Sequence, residues 1–203
     1  MLSEETTNTV FEFIRSCRRE FRYCIELGNG GSDFETTLLD AFPALKLDSY
    51  NLSNKDKLIV ESKLTFYQGR FRFIVSDYRK ENIGHGHDLV VSLCDFITLS
   101  KEEKQRLFIK VQHALSENGL FIYGDRVKAP SEKMRTIYVR SETSRYLQQP
   151  SENMMQHELA EKSPGDRNHL TIDDQTYWMR KAAFKDVDCV WKRCNTAVFA
   201  GFK

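Results

Sequence analysis

The sequence predicts an α/β domain, doubly wound, with a mostly parallel seven-stranded sheet and a C-terminal antiparallel hairpin. Three observations predict it. Apolar runs too short for helices alternate with segments of 3.6-residue apolar period, which implies parallel strands buried on both faces by crossover helices. The first run ends in a glycine-rich turn, Gly28-Asn29-Gly30-Gly31-Ser32, that opens the next helix. The last two runs, Val187 to Trp191 and Ala197 to Phe202, have five residues between them, too few for a helical crossover, so they pair antiparallel.

Each element has a local justification. Val10, Phe11, Phe13, Ile14 and Cys17 share one helical stripe, predicting a helix over about 3–20. Tyr23 to Leu27 is the first strand; after the glycine turn, Phe34, Leu38, Leu39 and Phe42 return to helical spacing until Pro43. Leu45 to Asp48 reads as a strand, Ser53 and Asp56 as a helix start, and Phe71 to Val75 as the third strand. Leu89 to Cys94 is a fully apolar fourth strand. Ser100 and Glu103 form a capping box, Leu107, Phe108, Val111, Ala114 and Leu115 the buried face behind it, and Asn118-Gly119 a stop before a fifth strand at Leu120 to Gly124. Residues 128–171 are polar, with Pro130, Pro150 and Ser163-Pro164-Gly165-Asp166, and read as two helices and a loop over the sheet's edge. A last helix over about 172–183 precedes the hairpin.

Composition narrows the functional classes. At 203 residues the chain fits one domain, 1–203, and 40% hydrophobic with 12% aromatic residues can fill its core. Thirty basic against 29 acidic residues give a net charge of +1, so no global field draws the protein to nucleic acid or an anionic membrane. No apolar run is long enough to span a bilayer, and the polar, acidic N-terminus is unlike a signal peptide, so a soluble cytoplasmic protein is expected. Five cysteines without a C-x-x-C pair argue for free thiols rather than zinc or disulfides, with Cys24 and Cys94 packed on interior strands. His85-Gly86-His87 has no nearby third ligand and reads as a loop, so no metal is assigned. Lys101-Glu102-Glu103-Lys104 reads as a solvated helix face.

In an open α/β sheet, ligands bind beyond the carboxyl ends of the strands where strand order reverses. Glycines in the first turn allow close approach of backbone to ligand, and the helix that follows presents its positive end. Glu26-x-Gly28-x-Gly30, Ser76-Asp77, His87 to Ser92, Asn118 to Ile122 and the terminal hairpin together resemble the class I S-adenosylmethionine (SAM) dependent methyltransferases over about residues 22–203. The segment Met179 to Val187, with Trp191 to Lys203, looks most like the branch that holds tRNA wobble-uridine carboxymethyl pathway enzymes and many small-molecule methyltransferases.

The resemblance implies a Rossmann-like methyltransferase fold, SAM as cofactor and methyl transfer as activity. It places Glu26 near the cofactor's amino-acid portion, with the Gly28 to Gly30 backbone against its carboxylate and ribose. Asn51 falls where an acid takes the ribose hydroxyls, and a shift of register would offer Asp48 instead. Asp77 falls on the adenine amino group, Tyr78 on the ring nitrogen through its backbone, and Leu93 on the same pocket. Ser32 for the third glycine and Asn51 for the ribose acid depart from the pattern, which keeps a non-catalytic scaffold with a degenerate pocket as the alternative. Carboxy-SAM-handling members carry an arginine at the position of Trp178, with Arg180 the nearest basic residue here, so ordinary SAM is expected.

Methyl transfer from a sulfonium needs alignment more than a base. Asp95 and Asp125 follow strands four and five and are the candidate catalytic carboxylates, although Asp95 fits a loop carboxylate or helix cap as well, and Asp125 faces the cleft or a partner such as Arg126. Phe96, Arg126 and Tyr138 are candidate substrate contacts. Residues 128–171 would form the helical cover of the acceptor site. Six basic against two acidic residues over 126–146 leave RNA open as the acceptor. A small molecule is favoured, on the small net charge and the aromatic and methionine content of the cover, including Tyr138, Tyr146, Tyr177, Trp178, Met154 and Met155. A homodimer stays open.

Overall fold

The structure, a computed structural model, describes residues 4–28, 32–93, 95–148 and 169–203, the side chains of Ser32, Asp95 and 145–148 aside. Gly30, Cys94, Met154 and Met155 therefore lie outside the described residues, as does the side chain of Tyr146.

Helix α1 (Glu4–Ser16) leads into β1 (Tyr23–Leu27), α2 (Ser32–Ala41), β2 (Lys46–Asn51), α3 (Lys57–Lys63), β3 (Phe71–Val75) and β4 (His87–Ser92). Then follow α4 (Lys101–Ala114), β5 (Leu115–Arg126), α5 (Glu132–Gln148), α6 (Ile172–Lys181), β6 (Lys185–Arg193) and β7 (Thr196–Phe202). Strand order is β3-β2-β1-β4-β5-β7-β6. The first five strands are parallel, and β7 runs antiparallel between β5 and β6, as the five-residue spacing requires.

Each face of the sheet carries a core. One packs Ile25, Val90, Phe121 and Phe199 with Phe108 of α4 and Met179 of α6. The other packs Cys24, Leu47, Val91 and Ile122 with Val10 and Ile14 of α1, Leu38 and Leu39 of α2 and Val60 of α3. Cys24 is buried as expected, and burial pushes its thiol well up.

Three boundaries and the burial of one lysine depart from the sequence reading. Helix α1 stops at Ser16 because Arg18 turns the chain with φ +48°. Strand β2 continues to Asn51, its polar Ser49 and Asn51 pointing inward. Strand β5 begins at Leu115, paired with His87, so Asn118-Gly119 lies inside a ladder irregularity rather than closing the helix. A Cβ on Gly119 would meet Leu115 Cδ2 and the Ser116 carbonyl at 2.9 Å, which accounts for the glycine. The capping box Ser100/Glu103 is present, but Lys104, read as part of a solvated face, is fully buried.

Candidate active site at the carboxyl edge of the sheet

Strand order reverses between β1 and β4, and the chain fixes the backbone there closely. Gly28 N–H donates to the Tyr50 carbonyl at 2.8 Å, Ser76 N–H to that of Asn51 at 2.9 Å, and the buried Ser92 hydroxyl to that of Leu27 at 2.8 Å. Gly28 has φ +86°, the left-handed conformation that lets the chain leave β1 sharply. Glu26, Gly28, Asn51, Asp77 and Leu93 thus stand together at one edge, at the ends of β1, β2, β3 and β4.

Beneath Gly28 lies a buried polar cluster. Glu26, Glu35 of α2 and Ser49 are fully enclosed, and Asn51 is 5% exposed. The Ser49 hydroxyl meets Glu26 Oε2 at 2.9 Å and Glu35 Oε1 at 3.3 Å, and Asn51 Nδ2 donates to Ser49 Oγ at 3.0 Å and to its carbonyl at 3.1 Å. A hydroxyl has one proton. It cannot donate to both carboxyls at once. Burial pushes Glu35 up, with hydrogen bonds to Glu26 and Ser49 opposing. Burying one neutral and one charged carboxyl costs far less than burying two charges.

Asp48, the alternative ribose acid, is excluded by geometry. It sits in the middle of β2 on the opposite face from Asn51 and is bidentate to Arg72. Asn51 holds the strand end. Asp77 is also engaged, by Arg79 at 2.7 and 3.0 Å and by Lys80 at 3.5 Å, and the Arg79 guanidinium holds its carboxyl at about 2. Lys110 of α4 donates to the carbonyls of Tyr78, Arg79 and Glu81 at 2.8–2.9 Å, pinning the loop after β3. The Tyr78 N–H, expected to read a ring nitrogen, here donates to the Ser76 carbonyl at 3.0 Å, and its ring is buried.

The acceptor-side expectations need more correction. Asp125 is fully buried and bonded to Lys104, also buried, and to the Arg126 N–H; its partner is the lysine and not Arg126's side chain, and no cleft reaches it. Burial pushes its carboxyl up while Lys104 opposes. Phe96 is a core residue, its ring 4.5 Å from that of Tyr123 and stacked on Phe108 at 5.7 Å. Tyr138 is drawn to the outermost strand, where Lys192 donates to its hydroxyl at 2.9 Å and lies over its ring. Arg126 ends β5, half-buried. Asp95 opens a short 3-10 helix after β4.

Sequence reasoning missed Glu35 and Lys104, because charged residues at helical spacing read as solvated, and Ser49, because a polar residue gave no sign that β2 continued. The spacing of Glu26, Glu35 and Ser49 carries no signal for their convergence. Arg180, the nearest basic residue to Trp178, donates to the Val187 carbonyl at 2.9 Å and is committed to the hairpin. Two surface concavities, of about 410 and 420 Å³, lie elsewhere, between α1 and α2 and between the 80–84 loop and α4.

A parallel five-stranded half joined to a β7-β6 hairpin, with the polar edge at the β1/β4 reversal, is the Rossmann-like fold of the class I SAM-dependent methyltransferases. Comparison with known proteins agrees. The chain is 22% identical over 206 residues to a carboxy-S-adenosyl-L-methionine synthase of Nautilia profundicola, covering 98% of this chain and 85% of that protein. The SAM-dependent methyltransferase SibL in its apo form superposes with a TM-score of 0.69 at 16% identity, over 99% of this chain. An O-methyltransferase family 2 protein of Planctomyces limnophilus in complex with apigenin gives 0.63 at 17% identity, over 90% of this chain. The chain spans 55% and 51% of those two solved chains, about half their length. No protein-family model matches the sequence. Among the described residues, no helix is long and apolar enough to cross a membrane, and no three His, Cys, Asp or Glu residues could hold a metal ion.

Proposed function

We propose that this chain is a SAM-dependent methyltransferase acting on a small-molecule acceptor. The observation that carries the reading is the convergence of Glu26, Gly28, Asn51 and Asp77 at the β1/β4 reversal of a sheet with this strand order. These residues suit SAM. Glu26 offers an acidic partner for an ammonium, Gly28 a backbone that a ligand can approach, and Asp77 an acceptor for an exocyclic amine once Arg79 yields. Bound there, SAM would supply a methyl group on a sulfonium, and the chain's part is alignment and exclusion of water. Gly30 and Leu93 complete the pocket in this reading. With Asp125 enclosed by Lys104, Asp95 is the carboxylate left to orient an acceptor, beside Arg126. Residues 128–171 serve as the cover, and the domain is single, 1–203.

The small-molecule reading draws on the O-methyltransferase solved with apigenin and on the near-neutral charge of this chain. Calorimetry tests the cofactor. S-adenosylhomocysteine (SAH) should bind, and absence of binding at millimolar concentration would leave the scaffold reading in its place. Incubation with methyl-labelled SAM and separate tRNA and metabolite pools tests the acceptor, with label expected in the metabolites; label in tRNA alone would reverse the assignment.

The match to a carboxy-SAM synthase raises a second reading, in which the chain makes or uses the carboxylated donor. Arg180 is engaged with Val187 and Trp178 stands at the expected arginine position, which supports ordinary SAM. Mass spectrometry of nucleoside released from the purified protein distinguishes the two.

A further inference from the structure

At the carboxyl end of β5 a cation is left without a partner. Arg126 closes the strand half-buried, and its backbone N–H is spent on Asp125 Oδ1 at 2.8 Å. Among the described residues its guanidinium makes no hydrogen bond, ion pair or ring contact. N–H donors partly withdrawn from water with no acceptor cost free energy unless something else meets them.

The strand sets the direction of this side chain. Phe121 and Tyr123 point to the side of α4 and α6, as does Asp125 toward Lys104, so Arg126 points with Ile122 to the side of α1 and α2, across from Thr196 of β7. The Gly28 turn leads to that same side, because α2 follows it. Leu27, Ser92 and Tyr123 stand at one level across β1, β4 and β5. Arg126 therefore lies three residues, about 10 Å, beyond that level and two strands, about 10 Å, to the side of β1. It is reached from the open edge of the sheet and not through the core.

Charge on this rim is one-sided. Residues 124–128 and 191–196, the end of β5 and the β6-β7 turn, carry Arg126, Lys128, Lys192 and Arg193 against one acid, Asp125. That acid is enclosed with Lys104. Glu5, which α1 brings to the rim, is taken by Arg193, and Lys192 lies over the Tyr138 ring. None of these groups supplies Arg126 with a carboxylate.

We infer that the methyl acceptor is a small organic anion and that Arg126 is the specificity-determining residue that takes its carboxylate or phosphate group. The inference rests on the proposed methyltransferase reading and names its substrate class. A planar guanidinium meets two oxygens of such a group at once, and the contact gains strength where water is partly excluded. Oxygens held by a cation are poor nucleophiles, so the methyl group goes to another atom of the acceptor. That atom's lone pair forms the new bond to carbon, the C–S pair stays on sulfur, and an O–H or N–H acceptor gives its proton to water. The product keeps its negative charge.

A metabolite extract freed of RNA by ultrafiltration and divided on an anion exchanger provides the test. Each part is incubated with the wild-type chain and methyl-labelled SAM. Label is expected from the retained part, in a product that is itself retained. With the acceptor isolated from that part, Arg126→Gln should lower kcat/KM by about tenfold or more, mainly through KM, as loss of a charge-assisted contact requires. Arg126→Lys, which keeps the charge and loses the fork, should fall between. SAH affinity should be the same in all three proteins.

Label from the unretained part alone, a labelled product that the exchanger no longer holds, or an Arg126→Gln kcat/KM equal to wild type would overturn the inference and leave methyl transfer standing. SAH binding with label in neither part also counts against it. Failure to bind SAH at all would remove the methyltransferase reading, and this inference with it. The wild-type arm needs no variant and stands if Arg126→Gln fails to fold.

Discussion

At the scale of single residues, the departure at Asn51 has a structural reason. Its amide donates to the Ser49 hydroxyl and carbonyl directly above two carboxyls. An aspartate here would lose those donors and bring a third acid into an enclosed cluster. Asn51→Asp is therefore expected to lower the melting temperature at pH 8 and to weaken SAH, although at an open ribose site the same change would tighten it. Added Glu35→Gln should restore much of the loss, a non-additivity that marks the two as one network. Thermal melts and calorimetry on the two single variants and the double variant check this. Asp77 poses a simpler competition, because the adenine amino group and Arg79 want the same carboxylate. The pair is partly exposed, so its strength is modest. Arg79→Met should accordingly tighten SAH modestly, and the difference from wild type should shrink at high salt.

At the scale of elements, helix α4 does two jobs that its sequence conceals. Lys110 holds three carbonyls of the loop after β3, and Lys104 neutralises Asp125 at the end of β5. With both Lys104 and Asp125 at 0% exposure, Lys104→Met alone should strand a buried carboxylate and cost about 3–5 kcal/mol in urea denaturation. Lys104→Met with Asp125→Leu should recover most of that, since an apolar pair avoids the desolvation cost. This also shows where the sequence was readable. Strands β1, β4 and β7 announce themselves as apolar runs, because burial on both faces leaves few polar positions. Strand β2 read short because its buried inward positions after Leu47 are Ser49 and Asn51, whose burial depends on carboxyls from β1 and α2 that no local pattern reveals. Lys104 was misread because its charge satisfied the pattern of a solvated face, and only Asp125, 21 positions on, explains it. Phe96 reads as a substrate contact because it follows strand four, yet a stack of Phe108, Phe121 and Tyr123 claims it.

At the scale of the whole molecule, the buried acids and His87 pull stability in opposite directions with pH. Burial raises Glu35 above 4.5 and Asp125 above 3.8 in the folded state. The folded chain thus keeps protons that the unfolded chain has lost, so their contribution is full below those values and is lost as pH climbs through the folded ones. His87 is lowered from 6.5, chiefly by burial. Its contribution is full above 6.5 and is lost as pH falls through the lower folded value. The ligand-free protein should then be most stable at mildly acidic to neutral pH, with Glu35 responsible for part of the decline on the alkaline side. Thermal melts from about pH 4 to 8 on wild type, Glu35→Gln and His87→Gln separate the two limbs. Glu35→Gln should match wild type at the acid end and exceed it at pH 8, because the amide never has to bear a buried charge. His87→Gln should change the acid limb and leave the alkaline one in place. A Glu35→Gln curve that runs parallel to wild type across the whole range would show that this carboxyl titrates normally, and that the pair beneath Gly28 stores no proton.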